Sequence, residues 1–217
     1  MPSRTTIRVF VDEQGRYGNP LLVVTDSDGL TDDACGSIAR DADTSETVFI
    51  DDADAGRVRI FTPAGLIPFA GYPLVGAGWL LHRHGVPVTT LSTYAVTVPV
   101  TAYDDECCID APTGRGNPWR LTEHATSAEV LAADDRGLNR HDYVWAWLDR
   151  VRGTVRARAF TSASGTVEDE ATGSAAIELC AHLGRALTIR QGLGSMIEVR
   201  PSPMGVRLSG RVAGDGA

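Results

Sequence analysis

Lysine is missing altogether: all 20 basic residues of this 217-residue chain are arginine. Without a lysine ε-amine there is no lysine Schiff-base chemistry, pyridoxal phosphate enzymes included, and no lysine-dependent phosphate loop. Cysteine is scarce. Cys35, Cys107, Cys108 and Cys180 follow no metal-binding or redox spacing. With no signal peptide read at the start, they are expected to be reduced, structural thiols in a cytoplasmic protein. Positive charge is in deficit, and a net charge of -8 argues against nucleic acid or an anionic membrane as a partner. One stretch lacks charge of either sign: the 22 residues from Ile60 to Leu81, long enough to cross a bilayer. Pro63, Pro68 and Pro73, with Gly65, Gly71, Gly76 and Gly78, break any continuous helix there. The stretch reads as a buried loop and core helix.

What the chain does contain is a repeat. Arg59 to Gly85 and Arg158 to Gly184 have equal length and align without a gap at an offset of 99 residues. Arg59/Arg158, Phe61/Phe160, Thr62/Thr161, Ala64/Ala163, Leu80/Leu179 and Gly85/Gly184 are identical. Alternating apolar runs flank both copies. The chain therefore reads as an α+β protein built from two copies of one unit: hairpin, loop, short helix, hairpin. The expected halves are 1–111 and 112–217, with the boundary between Pro112 and Pro118 and the active site in the cleft between them. Halves of about 100 residues are a common domain size, and 43% hydrophobic residues suffice to fill a core.

The periodicity predicts strands over Arg4 to Phe10, Leu21 to Val24, Thr44 to Ile50, Arg57 to Phe61, Tyr94 to Thr101 and Glu106 to Asp110. In the second half it predicts strands over Asp142 to Leu148 and Thr154 to Thr161, and a hairpin from Ser195 to Val212. Thr31 suits the N-cap of a helix reaching Arg40, ahead of the acidic Asp32 and Asp33. A central helix is expected with Pro73 at its first position and an end at Gly85. The less patterned 114–140 stretch holds one helix near Ser127 to Ala133, and a second central helix spans Gly173 to Leu183.

Both central helices are small and apolar nearly all round, the mark of a buried helix. Their starts carry unpaired N–H groups and the positive ends of the helix dipoles. If both face the cleft they make a site for a carboxylate; otherwise the glycines serve tight packing alone. Glu46, in a strand reading where it shares a face with Val48 and Ile50, is the sharpest single residue. A carboxylate on an apolar face has a raised pKa, suited to a general acid/base, unless it merely reaches solvent at a strand end. At the repeat offset the second copy has Trp145 there. Asp169, opposite Ala70 at that offset, mirrors the asymmetry, although acids before a helix also serve ordinary capping.

Together these pieces resemble a family. Gly18-Asn19-Pro20, Ser45-Glu46-Thr47, Arg59-Ile60-Phe61-Thr62-Pro63, Pro68-Phe69-Ala70-Gly71, Glu168 to Ala175 and Gln191-Gly192 look like the PhzF-like isomerases of phenazine biosynthesis, in the family's order from about Ile7 to Val212. The resemblance implies a duplicated diaminopimelate epimerase-like fold, two pseudo-symmetric halves with mainly antiparallel strands around a central apolar helix. It implies cofactor-independent proton transfer on a small carboxylate-bearing metabolite, amino acid-like or a cyclic diene, by a homodimer. Glu46 and Asp169 would be catalytic, and Asn19, Gly71, Tyr72, Thr172, Gly173 and Ser174 would bind substrate, with no metal. Three departures stand out: Tyr72 where the family usually has histidine, Glu170 where it commonly has proline, and a chain some tens of residues shorter. Epimerases of this fold place a reactive cysteine at each central helix start, whereas here Cys180 lies about two turns in, which disfavours two-thiol racemisation. A non-catalytic carboxylate-binding protein on the same fold is the other reading.

Overall fold

The computed structural model describes residues 2–115, 118–134, 141–162 and 167–214. Ala163 of the repeat, the outer limits 1 and 217 of the expected halves, part of the 112–118 boundary and the end of the 114–140 stretch lie outside them.

The first half runs β1 (Ser3–Val11), β2 (Asn19–Thr25), α1 (Asp32–Asp41), β3 (Thr47–Asp52), β4 (Arg57–Thr62), β5 (Gly65–Ile67), α2 (Gly71–Arg83), β6 (Thr90–Ser92), β7 (Thr97–Ala102) and β8 (Glu106–Ala111). The second runs β9 (Arg120–Glu123), α3 (Ser127–Ala132), β10 (Asp142–Asp149), β11 (Thr154–Phe160), β12 (Glu168–Asp169), α4 (Gly173–Leu183), β13 (Leu187–Gln191), β14 (Ser195–Ser202) and β15 (Gly205–Gly214). The pairings repeat. β2 lies parallel to β3 as β9 does to β10, and β4 parallel to β6 as β11 does to β13. Two antiparallel β8–β15 strands join the halves, and β1 also pairs β15, which closes β1-β2-β3-β4-β6-β7-β8-β15 into a ring.

Inside that ring α2 packs against β1, β2, β3, β7, β8 and β15, while α4 packs on β14 and β15. Every residue of α2 from Gly71 to Leu81 is buried, which explains why the sequence there carries no charge. No helix among the described residues is long and apolar enough to cross a membrane. A single cluster of buried apolar side chains extends from Ile7 and Val9 through Leu74 and Val75 to Ala175, Ile177 and Leu208.

Two of the identical pairs, Arg59/Arg158 and Phe61/Phe160, hold the outer helices α1 and α3. Arg59 grips Asp51 through two bonds of 2.8 Å and reaches Asp32 at the start of α1 at 2.7 Å. Arg158 grips Glu168 through two bonds of 2.7 Å and donates to carbonyls at the end of α3. Phe61 packs with Cys35 and Ala39 of α1, and Phe160 with Val130 of α3.

Thr31 caps α1 as expected, accepting from Ala34 N at 3.3 Å. The helix α2 starts at Gly71, so Pro73 is its third residue and not its first. The strand expected from Tyr94 begins at Thr97. Short β5, β6, β9 and β12, and also β13, were not expected. Most are too brief to show a period, and they exist because a neighbouring strand offers free backbone groups.

Candidate active site

The two central helices meet at their first residues. A Cβ added to Gly71 would stand 3.5 Å from the Gly173 Cα, and one added to Gly173 would stand 3.1 Å from the Tyr72 backbone nitrogen. The contact is tight on the Gly173 side, whereas at Gly71 an added Cβ would instead press on the Leu208 side chain at 2.6 Å. Neither Ala70 nor Thr172, the N-cap residues, bonds its helix through its side chain. Two helix dipoles thus present positive ends and backbone N–H groups at one place.

Glu46 lies one residue before β3, outside the strand predicted from Thr44. The reason is Tyr72, in the first turn of α2. Its buried hydroxyl accepts from Glu46 N at 3.1 Å and bonds Ser45 Oγ at 2.9 Å. That draws 45–46 toward the helix, and the β3–β4 ladder starts only at Thr47 opposite Phe61. The strand end does not deliver the carboxylate to solvent. Its Oε2 is buried and finds no hydrogen-bond partner among the described residues. Burial pushes the Glu46 carboxyl up to about 7, the nearby Asp169 adds to this, and Ser45 and Tyr72 oppose it. Burial, with Glu46 and Asp169 beside it, lifts the Tyr72 phenol well above its ordinary 10. Tyr72 therefore serves as a neutral hydrogen-bonding group.

Asp169 enters from the other half on β12. Its Oδ1 accepts from Asn19 Nδ2 and its Oδ2 from Thr172 Oγ1, both at 2.6 Å. Burial raises its carboxyl to about 6; the bonds from Thr172 and Asn19 pull it down, while Glu170 and Glu168 push it up. Behind it, Gln191 Nε2 donates to Asp169 O at 2.9 Å and to Thr172 Oγ1 at 2.8 Å, and Tyr143 OH donates to Gln191 Oε1 at 2.9 Å. Ser174 accepts from Trp119 Nε1 at 3.1 Å. The structure thus brings Glu46, Asp169, Asn19, Gly71, Tyr72, Thr172, Gly173 and Ser174 to the two helix starts. Tyr143 and Trp119 joined the network without a sequence signal: Tyr143 is a buried aromatic in a strand, which reads as core, and Trp119 is a half-buried residue just before β9.

Two equivalences expected from the 99-residue offset are corrected. Phe61 follows its cross-strand partner Thr47 by 14 residues, whereas Phe160 follows Asp142 by 18. The counterpart of Glu46 is accordingly His141, and Trp145 is a buried core residue of β10. Likewise Ile67 faces Ile60 as Asp169 faces Ala159, so Ile67, not Ala70, is the counterpart of Asp169. The halves differ in hairpin and loop length, and an ungapped alignment hides both changes.

The four cysteines are free and buried. Cys180, on α4, is pushed up to about 11 by burial and bonds Arg185 O at 3.3 Å.

This fold is the one shared by solved epimerases and proline racemases. A hydroxyproline epimerase from Agrobacterium vitis superposes on 100% of this chain and 91% of its own, at a TM-score of 0.63 and 11% identity. A predicted epimerase from Pseudomonas aeruginosa does so on 97% and 96%, at 0.77 and 24% identity. Residues 7–148 match the family model of phenazine biosynthesis-like proteins, PhzC–PhzF. The trans-2,3-dihydro-3-hydroxyanthranilate isomerase of Pseudomonas aeruginosa is 31% identical over 259 aligned residues, covering 92% of this chain and 91% of that one. The chain belongs to the PhzF family and is an isomerase.

Proposed function

We propose that this isomerase moves a proton within a small carboxylate-bearing metabolite, with Glu46 as the acid/base and no cofactor. The observation that carries the reading is the buried, unpartnered Glu46 Oε2 beside two abutting helix starts whose N–H groups suit a substrate carboxylate. With a carboxyl near pH 7, Glu46 can take a proton from an acidified carbon and return it to another. The C–H bond breaks toward the carboxylate, its electron pair shifts into the conjugated system, and the same proton forms the new C–H bond. One base on one face keeps the transfer on that face. Asp169, fixed by Asn19 and Thr172, is the second polar group and suits a substrate amino or hydroxyl group. A cyclic diene amino acid resembling the substrate in the relative's name satisfies these demands.

Proton exchange in D₂O followed by NMR tests the reading, using dihydro-hydroxyanthranilate-type dienes and common amino and hydroxy acids. Deuterium uptake or isomerisation that disappears in Glu46→Gln is the expected result. Turnover that survives the substitution removes Glu46 from the mechanism. Saturable line broadening of a carboxylate without exchange would instead favour a binding protein.

A further inference from the structure

We propose that Glu170 and Ser195 form a latch between the two halves that positions Asn19 against Asp169. The inference rests on the proposed role of Asp169 only for its functional meaning; the latch itself is a matter of hydrogen bonds. The Glu170 carboxylate accepts from Leu193 N at 2.9 and 2.8 Å, from Gly194 N at 3.3 Å, and from Ser195 Oγ at 2.7 Å. Ser195 is fully buried, and its Oγ accepts in turn from Gly18 N at 2.9 Å. Its hydroxyl therefore has a defined direction: proton toward Glu170, lone pair toward Gly18. The next residue is Asn19, whose Nδ2 donates to Asp169 Oδ1 and, at 2.9 Å, to Ala171 O. Asp169 and Glu170 are neighbours in the chain, so the bonds close a ring. Gly18 and Asn19 come from the first half, and Asp169, Glu170 and Ser195 from the second.

The surroundings are built for this ring. Gly18 has φ +77°, and a Cβ there would stand 2.8 Å from the Val9 carbonyl oxygen and Val11. The chain is thus closely packed in a left-handed conformation where it passes into β2, and Gly18 is bonded directly to Asn19. Gly192, with φ +57°, leaves the space that the Glu170 carboxyl occupies, and the Tyr17 ring packs onto Gly194. An ionised carboxylate taking several N–H and O–H donors makes stronger bonds than a neutral acceptor. In the first half the position matching Glu170 holds Pro68, which has no side-chain acceptor. The latch is therefore one-sided and serves the half that carries Asp169.

The latch predicts more than a turn cap. If Glu170 merely caps residues 192–195, removing its charge exposes the Leu193 and Gly194 amides and leaves the first half untouched. If it is a latch, Ser195→Ala and Glu170→Gln both loosen Gly18 and Asn19. Amide exchange measured by NMR on the full-length protein separates these outcomes. The latch requires the Gly18 amide and the Asn19 side-chain amide to exchange about three- to tenfold faster in both variants, the effect of losing a bond of ordinary net strength. Faster exchange at Leu193 and Gly194 alone, or no change at Gly18 and Asn19, overturns it. Thermal unfolding confirms that each variant is folded. No substrate is needed, so failure of the latch and failure of the proton-transfer reading are separate results. Once a substrate is in hand, a positioning role shows as a lower kcat with little change in KM.

Discussion

Arg59 and Arg158 occupy the same place in the two halves and hold the same kind of outer helix, yet they take their carboxylates from opposite sides. Arg59 pairs with Asp51 on β3, one neighbour of its strand. Arg158 pairs with Glu168 on β12, the other neighbour. The scaffold demands a partner for the arginine, and either adjacent strand can supply it. In the second half that choice places an acid next to Asp169 at the helix start, where the first half has Leu66, Ile67 and Pro68. The first half instead contributes Glu46, held by Tyr72, where the second has His141. A duplicated frame thus carries one unusual carboxylate per half, at positions that do not correspond.

That asymmetry can be broken most severely at Glu46. Glu46→Gln is expected to reduce turnover by about 10²–10⁴-fold, the usual contribution of a positioned acid/base, with circular dichroism unchanged. In the wild type the ionised, proton-accepting form of Glu46 grows as pH rises through about 7, so kcat/KM for proton abstraction should rise over that window. The contact between the helix starts comes next. A methyl at Gly173 would meet Tyr72 N at 3.1 Å and Gly71 Cα at 3.3 Å. Gly173→Ala should therefore cost about 1–3 kcal/mol by overpacking, measured by denaturant unfolding.

Stability should also depend on pH with a definite sign. Both carboxyls titrate higher in the fold than their ordinary 4.5 and 3.8, at about 7 and about 6. Folding therefore favours their protonated forms; that stabilisation is complete below about pH 4 and is lost as pH rises through 6 to 7. Glu46→Gln should gain about 1–3 kcal/mol over wild type at pH 8 and nothing at pH 4. A pH-independent difference would contradict the buried state of Glu46. The smallest effect sharpens the comparison of the arginines. Arg59→Ala and Arg158→Ala should each destabilise by about 1–2 kcal/mol. Only Arg158→Ala should also lower activity, because only Glu168 adjoins Asp169.

Several features were legible because their signals are local. Thr31 as a cap, Gly85 at φ +76° after α2, and the uncharged run that became a fully buried helix follow from propensity and periodicity. The residues gathered at the two helix starts were named in the sequence by the family resemblance, and Glu46 and Asp169 also by their oddity against the repeat. The start of β3 was not, because the Tyr72 hydroxyl, 26 residues away, competes for the backbone of Glu46. Gln191 was recognisable only as part of a motif, and its bonds to Asp169 and Thr172 needed coordinates. Glu170 read as an extra charge beside Asp169 and proved to be engaged with the 192–195 turn.

Composition and spacing alone establish that the frame is doubled, that two small apolar helices lie inside it, and that lysine chemistry has no part. Composition and periodicity decide such matters, since burial energy depends on which residues recur at which spacing. Folding in three dimensions sets which residues correspond between the halves, brings the two helices together at glycine, and raises the Glu46 and Asp169 carboxyls to about 7 and about 6. The last two outcomes depend on contacts across 100 or more residues of chain, such as Gly71 with Gly173 and Asn19 with Asp169. Desolvation acts on a group through everything packed around it, and no local pattern records that.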